Sequence, residues 1–363
     1  MNSDSITVWG GDPYFCTFVM DKVSNQFALG LNPFQDKFWD IPFFYPAKRA
    51  LAYSDPFILQ GFLIYILEKI FQTNLFLSVN IVFILFFILS TIFAALFYFE
   101  VTKNRIGSVL AGWLWAFSLH HLSQSAHFQN TAGFGIPMAL FFLFRVFSNP
   151  SWIYKVGLAL SFFLLVCSNL YYFVFAEIAV GYAILYRIII ARSNSEKKKI
   201  IFQAGFALIL AIAVSFPVLY RYLETRKMYP EFENARGIEE QVVFSARAGD
   251  YVSSLHDPVE YQRILPVVIN LERIASPGLY TFAIVLCFIL FHGYSRVFQK
   301  ILPTRIFYFG LGLFILSALI SSGLLIHKGF FSGLFELIPG IKNLRAIGRI
   351  GILVVLAECL FIA

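Results

Sequence analysis

The sequence predicts an all-α polytopic membrane protein, a bundle of transmembrane helices whose extracytoplasmic loops bear short interfacial helices. Three observations predict it. The 363 residues are 59% hydrophobic and only 13% charged, whereas a soluble domain is about half apolar and about a quarter charged. Uncharged runs recur along the chain at close to the roughly 20 residues that a span requires. The basic residues gather in alternate loops. Mean hydropathy is +0.73, and the 44 Phe and 18 Tyr suit lipid contact and the aromatic belts at the membrane surface.

Residues 1–75 read as an extracytoplasmic first loop with interfacial helices. The first 56 hold six carboxylates (Asp4, Asp12, Asp21, Asp36, Asp40, Asp55) against four bases. Gly and Pro punctuate them at Gly10-Gly11-Asp12-Pro13, Asn32-Pro33, Tyr45-Pro46 and Asp55-Pro56, which predicts a turn-rich loop. A carboxylate at the outer bilayer surface can act as general base on a hydroxyl, or hold a divalent cation on a phosphate. Asp12 and Asp55 are the candidates. The competing reading is that each Asp-Pro pair forms a turn. Residues 57–71 are apolar but short, and contain Glu68-Lys69. They read as a helix lying at the interface.

Residues 76–220 carry transmembrane helices, with spans expected at 76–99, 107–121, 132–144, 152–168, 171–186 and 200–220. Residues 221–278 form an extracytoplasmic loop or cap with seven basic and nine acidic residues. Residues 279–363 return to transmembrane helices, at 279–298, 306–325 and from 350 onward, with an outer loop at 326–349. In this arrangement the inner loops hold twelve Lys or Arg, among them Lys103, Arg145, Arg187, Lys197, Lys198, Lys199 and Arg305, against Glu100 and Glu196. This is the positive-inside pattern. It accounts for the net charge of +7 without nucleic acid. Counting 57–71 as a span would invert every later loop.

Lys342, Arg345 and Arg349 run against this trend, since they lie just outside the final span. Arginine forks bind phosphate oxygens in two-point geometry, and the alternative is contact with ordinary headgroups. His120 and His121 cap the outer end of one span, with His127 close by. Their spacing is not that of a helical metal site, which leaves structural hydrogen bonding or substrate contact. Glu177 lies within a span, where acids are functional candidates, with snorkelling to the interface as the competing role. The four cysteines show neither metal-ligand spacing nor a disulfide framework. There is no Walker loop, dinucleotide fingerprint, nucleophile elbow or zinc motif, so neither a nucleotide nor a nucleic acid is an expected partner.

Several stretches, in order, resemble the C-type (GT-C) glycosyltransferase superfamily, and in particular its bacterial polytopic membrane branch. They are Gly11-Asp12-Pro13, Phe44-Tyr45-Pro46 with Ser54-Asp55, and Ala116-Phe117-Ser118 leading to His120-His121. Ser245-Ala246 before Asp250-Tyr251, and Pro339-Gly340 before Arg345 and Arg349, complete the set. The resemblance implies a GT-C-like helix bundle in a bacterial inner or plasma membrane. It implies transfer of a sugar from a polyprenyl-phosphate carrier to a lipid, polysaccharide or protein acceptor on the outer side. Asp12 would be the base or a group beside a metal, Asp55 a second acid, and Arg345 and Arg349 would meet the carrier phosphate. Members of the superfamily have a span before the first outer loop, whereas Met1 begins inside that loop here and the chain stops within an apolar run. The sequence therefore reads either as a fragment lacking its first span or as one whose start is misplaced. Two rival readings are a transporter or flippase of lipid-linked saccharides that uses Glu177, and a non-catalytic membrane protein of the same fold.

Overall fold

The computed structural model describes residues 11–44, 46–230, 238–251, 273–275, 279–292, 299, 303–323, 338 and 340–363. All regular structure among them is helical. The helices are α1 (Gly11–Ala28), α2 (Ile58–Phe71), α3 (Leu75–Thr102), α4 (Arg105–Ala116), α5 (Leu119–Ser123), α6 (Gly135–Ser148), α7 (Trp152–Val166), α8 (Leu170–Ile190), α9 (Asn194–Met228), α10 (Ile238–Val243), α11 (Leu279–Phe291), α12 (Thr304–Ser321) and α13 (Gly351–Leu360). Among the described residues, five segments are long and apolar enough to cross a membrane: α3, α8, α9, α12, and Phe128–Ser148, in which a 3-10 turn runs into α6. This is a helical membrane protein.

Two large packed cores lie among the described residues, beside a small cluster of Val285, Phe307 and Phe361. One gathers α3, α4 and α6 to α9 around α12 and α13, with Trp115, Phe175, Leu353 and Leu356 fully buried. Helix α13 is enclosed on all sides, and every residue from Gly351 to Leu360 is buried. The second core seats the N-terminal stretch on the ends of α3, α6 and α9, through Met20, Val23, Phe38, Trp39 and Phe57 against Val82, Phe86, Met138 and Val218.

The structure corrects the expectation of a turn-rich loop at the start of the chain. Gly11–Ala28 is an 18-residue helix. Pro13 falls in its first turn, where a missing N–H costs nothing. Cys16, Val19, Met20 and Val23 recur at helical spacing and are buried, as an amphipathic helix requires. Helix α2 crosses it at Gly61, where a Cβ would stand 2.5 Å from Val23 Cγ1, so any side chain there would force the pair apart.

The loop expected from residue 221 begins later. Helix α9 runs unbroken for 35 residues, with Pro217 inside it. At 1.5 Å per residue it is about 52 Å long, against a hydrocarbon core of about 30 Å, so it projects well past the bilayer. Its projecting turns grip the first loop. Arg221 donates to the Phe34 carbonyl and pairs with Asp36. Tyr222 donates to the Ser54 carbonyl at 2.9 Å. Glu224 takes Arg49 at 3.0 Å. The expected 107–121 span is also interrupted: α4 stops at Ala116, and the Ser118 hydroxyl caps a separate α5.

Candidate functional site

A cavity of about 1200 Å³ opens at the end of the bundle where α8 begins. Its mouth gathers Asp12, Asp55, Arg345 and Arg349, which come from opposite ends of the sequence. His127, Gln129 and Arg226 join them. Below the mouth an apolar arm runs between α8 and α9, walled by Phe173, Val174, Val180, Leu208 and Ala211. Gly181 and Ile212, at the far end of the arm, lie on the protein surface. They belong to helices long and apolar enough to cross a membrane.

Asp12 lies in the first turn of α1, with its side chain 64% exposed and Oδ2 3.3 Å from His127 Nδ1. One turn on, the Cys16 thiol donates to Gln129 Oε1 at 3.5 Å. Burial pushes that thiol up to about 12, which favours its neutral form. The turn that presents His127 and Gln129 is fixed by buried amides: Asn130 donates to Gln124 Oε1 at 3.0 Å, and Asn169 donates to Asn130 Oδ1 at 2.8 Å. Asn169 also caps α8 by accepting the Tyr172 N–H.

Asp55 follows the 3-10 turn Ala50–Tyr53. Its Oδ1 accepts the Leu170 N–H at 2.9 Å, at the positive end of α8. Burial raises the Asp55 carboxyl above its ordinary value, and the Leu170 amide, Arg349, Gln129 and His127 offset part of that rise.

Tyr171 organises both arginines. The Arg349 guanidinium lies over its ring, 5.0 Å from the centroid, and the Arg345 N–H donates to its hydroxyl at 2.9 Å. Arg349 sits in the 3-10 turn Ile347–Ile350 and is only 7% exposed. Arg345 is exposed, with its guanidinium 4.7 Å from the Phe244 ring centroid. The turn before them opens at Gly340 with φ +80°, a left-handed conformation that favours glycine. Gln241 of α10 holds the same segment by donating to the Leu344 carbonyl at 2.7 Å. Lys342 lies in this turn, with its side chain outside the described residues, as is Pro339. Most of the expected cap at 221–278 and the outer loop at 326–337 also lie outside them.

Glu177 is on the cavity wall, seven residues along α8 from Leu170 and so about 10 Å into the arm. Its Oε2 meets no hydrogen-bond partner among the described residues. His120 and His121 are not brought to the cavity. Both are buried, His121 Nδ1 lies 2.9 Å from the Trp115 carbonyl, and His120 Nδ1 faces the Ile274 carbonyl. The short helix that carries them packs inward, so the structure gives them backbone partners where the sequence offered substrate contact.

Among the wall residues that escaped the sequence reading are Tyr171, Gln129, Arg226 and Asn343. Tyr171 looks like one more aromatic in an apolar run, and Arg226 like part of a loop. The asparagine before Leu170, a residue type that caps helices, is a local signal that could have marked this end of α8. Among the described residues no three His, Cys, Asp or Glu side chains converge as a metal-ligand set. Comparison with protein-family models, with curated proteins and with solved structures finds no match to this chain.

Proposed function

We propose that this protein transfers a sugar from a polyprenyl-phosphate carrier to an acceptor hydroxyl on the extracytoplasmic side, with inversion at the anomeric carbon. One observation carries the reading: two acids and two arginines, far apart in the chain, share a cavity that continues as an apolar arm between α8 and α9. An amphiphile with an anionic head fits that division. Its phosphate would lie against Arg349 and Arg345, and its hydrocarbon would run down the arm past Val180 and Leu208.

Asp12 would accept the proton of the acceptor hydroxyl, with His127 beside it to steady the carboxylate. The acceptor oxygen then bonds to the anomeric carbon as the bond from that carbon to the phosphate oxygen breaks. The electron pair departs on the phosphate, where the two guanidinium groups offset the added charge. The proton leaves Asp12 to water. Asp55 would act by position, anchoring the start of α8 and facing Arg349.

The test is product analysis with a radiolabelled polyprenyl-phosphate sugar and the protein in vesicles. A new labelled glycoside is the expected product. Label that crosses the bilayer still attached to intact carrier, with no glycosidic bond formed, replaces transfer by transport.

A further inference from the structure

The far ends of the same helices enclose a second cavity, of about 310 Å³. The last turns of α3, α6 and α8 and the first turn of α12 meet there. The charge pattern of the loops assigns this face to the cytoplasm. Along α8, Arg187 lies 16 residues, about 24 Å, from Tyr171 and six residues, about 9 Å, beyond Gly181 at the end of the arm, and the two cavities share no lining residue.

Lys103, Arg187 and Arg305 line this cleft, and Glu100 is the acid on its wall. Glu100 is already engaged, by Lys103 at 3.0 Å and by Arg145 at 3.3 Å. Arg187 and Arg305 are left facing the cleft with no carboxylate at ion-pair distance among the described residues. The Arg187 guanidinium lies 5.7 Å from the Phe147 ring centroid. Its Nε is shut off from solvent and donates to no group among the described residues. A shielded cationic donor without an acceptor is costly, and such groups are normally satisfied. The Tyr186 hydroxyl donates to the Arg305 carbonyl and holds the start of α12 beside α8, so both guanidinium groups are presented from anchored backbone. Apart from Ser148 and the Tyr186 hydroxyl, the rest of the wall is apolar, including Phe144, Ile190, Ile306 and Phe309.

We propose that this cleft binds the phosphate of an anionic phospholipid of the inner leaflet. Arg187 and Arg305 would share the phosphate oxygens, and Lys103 would add a third charge at the rim. The first carbons of the acyl chains would rest on Phe309 and Ile190. Basic clefts between spans on the cytoplasmic side suit such headgroups. The apolar wall favours a lipid over free phosphate, which would leave that surface uncovered. The bound lipid would bridge α8, α12 and α3. The proposal is independent of the glycosyl-transfer reading.

The purified chain in a neutral detergent is titrated with phosphatidylglycerol, with phosphatidylcholine, and with inorganic phosphate. Binding is read by native mass spectrometry and by thermal unfolding. Phosphatidylglycerol should bind and raise the unfolding midpoint, and the other two should not. The double variant Arg187→Gln/Arg305→Gln should lose phosphatidylglycerol affinity by about tenfold or more, the scale of one or two charge-assisted hydrogen bonds. A control, Lys197→Gln/Lys198→Gln, removes equal charge on the same face outside the cleft and should bind like the wild type. Should the double variant not fold, Arg187→Lys keeps the charge but loses the planar fork, and should weaken binding several-fold. Equal binding of phosphatidylcholine, equal protection by inorganic phosphate, or an equal loss in the control would each overturn the proposal.

Discussion

Asp55 and Leu170 stand 115 positions apart in sequence and are joined by a hydrogen bond of 2.9 Å. That bond ties the acid-bearing first stretch to the first turn of α8, and so fixes where Tyr171 and its two arginines stand relative to Asp12. Burial raises the Asp55 carboxyl above its ordinary 3.8. An acid raised in this way holds its proton more tightly when folded. Its ionisation therefore costs stability as pH climbs from the unfolded value through the folded one. Asp55→Asn stays neutral, so it should match the wild type at acid pH and gain on it as pH rises through that window. Unfolding midpoints of the solubilised protein across a pH series check this. A gap that stays flat would show that burial does not govern this carboxyl.

Asp12→Asn keeps the shape of the side chain and removes the base. Transfer should fall about 10²- to 10⁴-fold in kcat, the usual worth of a general base, with little change in KM for the donor. His127→Ala should cost less, because Asp12 remains and loses only the ring 3.3 Å away. Steady-state kinetics with a short-chain polyprenyl-phosphate sugar separate the two effects. Wild-type kcat in Asp12→Asn would remove this carboxylate from the mechanism.

Tyr171 offers a graded test of the phosphate end. Tyr171→Phe deletes the hydroxyl that accepts the Arg345 amide and should weaken donor binding by about 0.5–1.5 kcal/mol. Tyr171→Leu also deletes the ring beneath Arg349 and should weaken it further, by about 0.5–2 kcal/mol of cation–π contact. Donor affinity by equilibrium binding is the readout. An unchanged affinity in Tyr171→Leu would mean that the arginines hold their places unaided.

Arg49 is buried at 7% exposure and is met by Glu224 at 3.0 Å and Asp36 at 3.3 Å. Its backbone is left-handed at φ 54°, and its N–H donates to Asp40 Oδ1 at 2.7 Å. Glu224→Gln leaves the guanidinium under-compensated and should cost about 1–3 kcal/mol. It should also speed protease cleavage between residues 29 and 57, since that segment would lose part of its hold on α9. Limited proteolysis of sealed vesicles, with protease on one side, reads both the loosening and the sidedness.

Much of the helical architecture was legible because long apolar runs leave few alternatives. What escaped notice was hidden by chemistry that resembles something else. In α1, the Gly-Asp-Pro start and Asp21-Lys22 read as loop, although Cys16, Val19, Met20 and Val23 already carried the helical period. The projecting turns of α9 are charged because they leave the bilayer, and charge after a span reads as a loop. At the site, the early acids and late arginines were visible as residues out of keeping with their surroundings. Their partners were not. The pairing of Asp12 with His127 spans 115 positions with no local signal, and nothing in the sequence separates Tyr171 from the aromatics beside it. His120 and His121 were conspicuous by type, yet Nδ1 of each ring faces a backbone carbonyl.

The unbroken length of α9 has a mechanical consequence. Its middle turns form one side of the hydrophobic arm, while its upper turns hold Phe34, Asp36, Arg49 and Ser54. Pro217 lies between these two parts and removes one rung of the helical ladder. A tilt about that point would act as a lever, parting α9 from α8 while lifting the acid-bearing segment. Admission of a tail from the bilayer and exposure of the carboxylates would then be one motion.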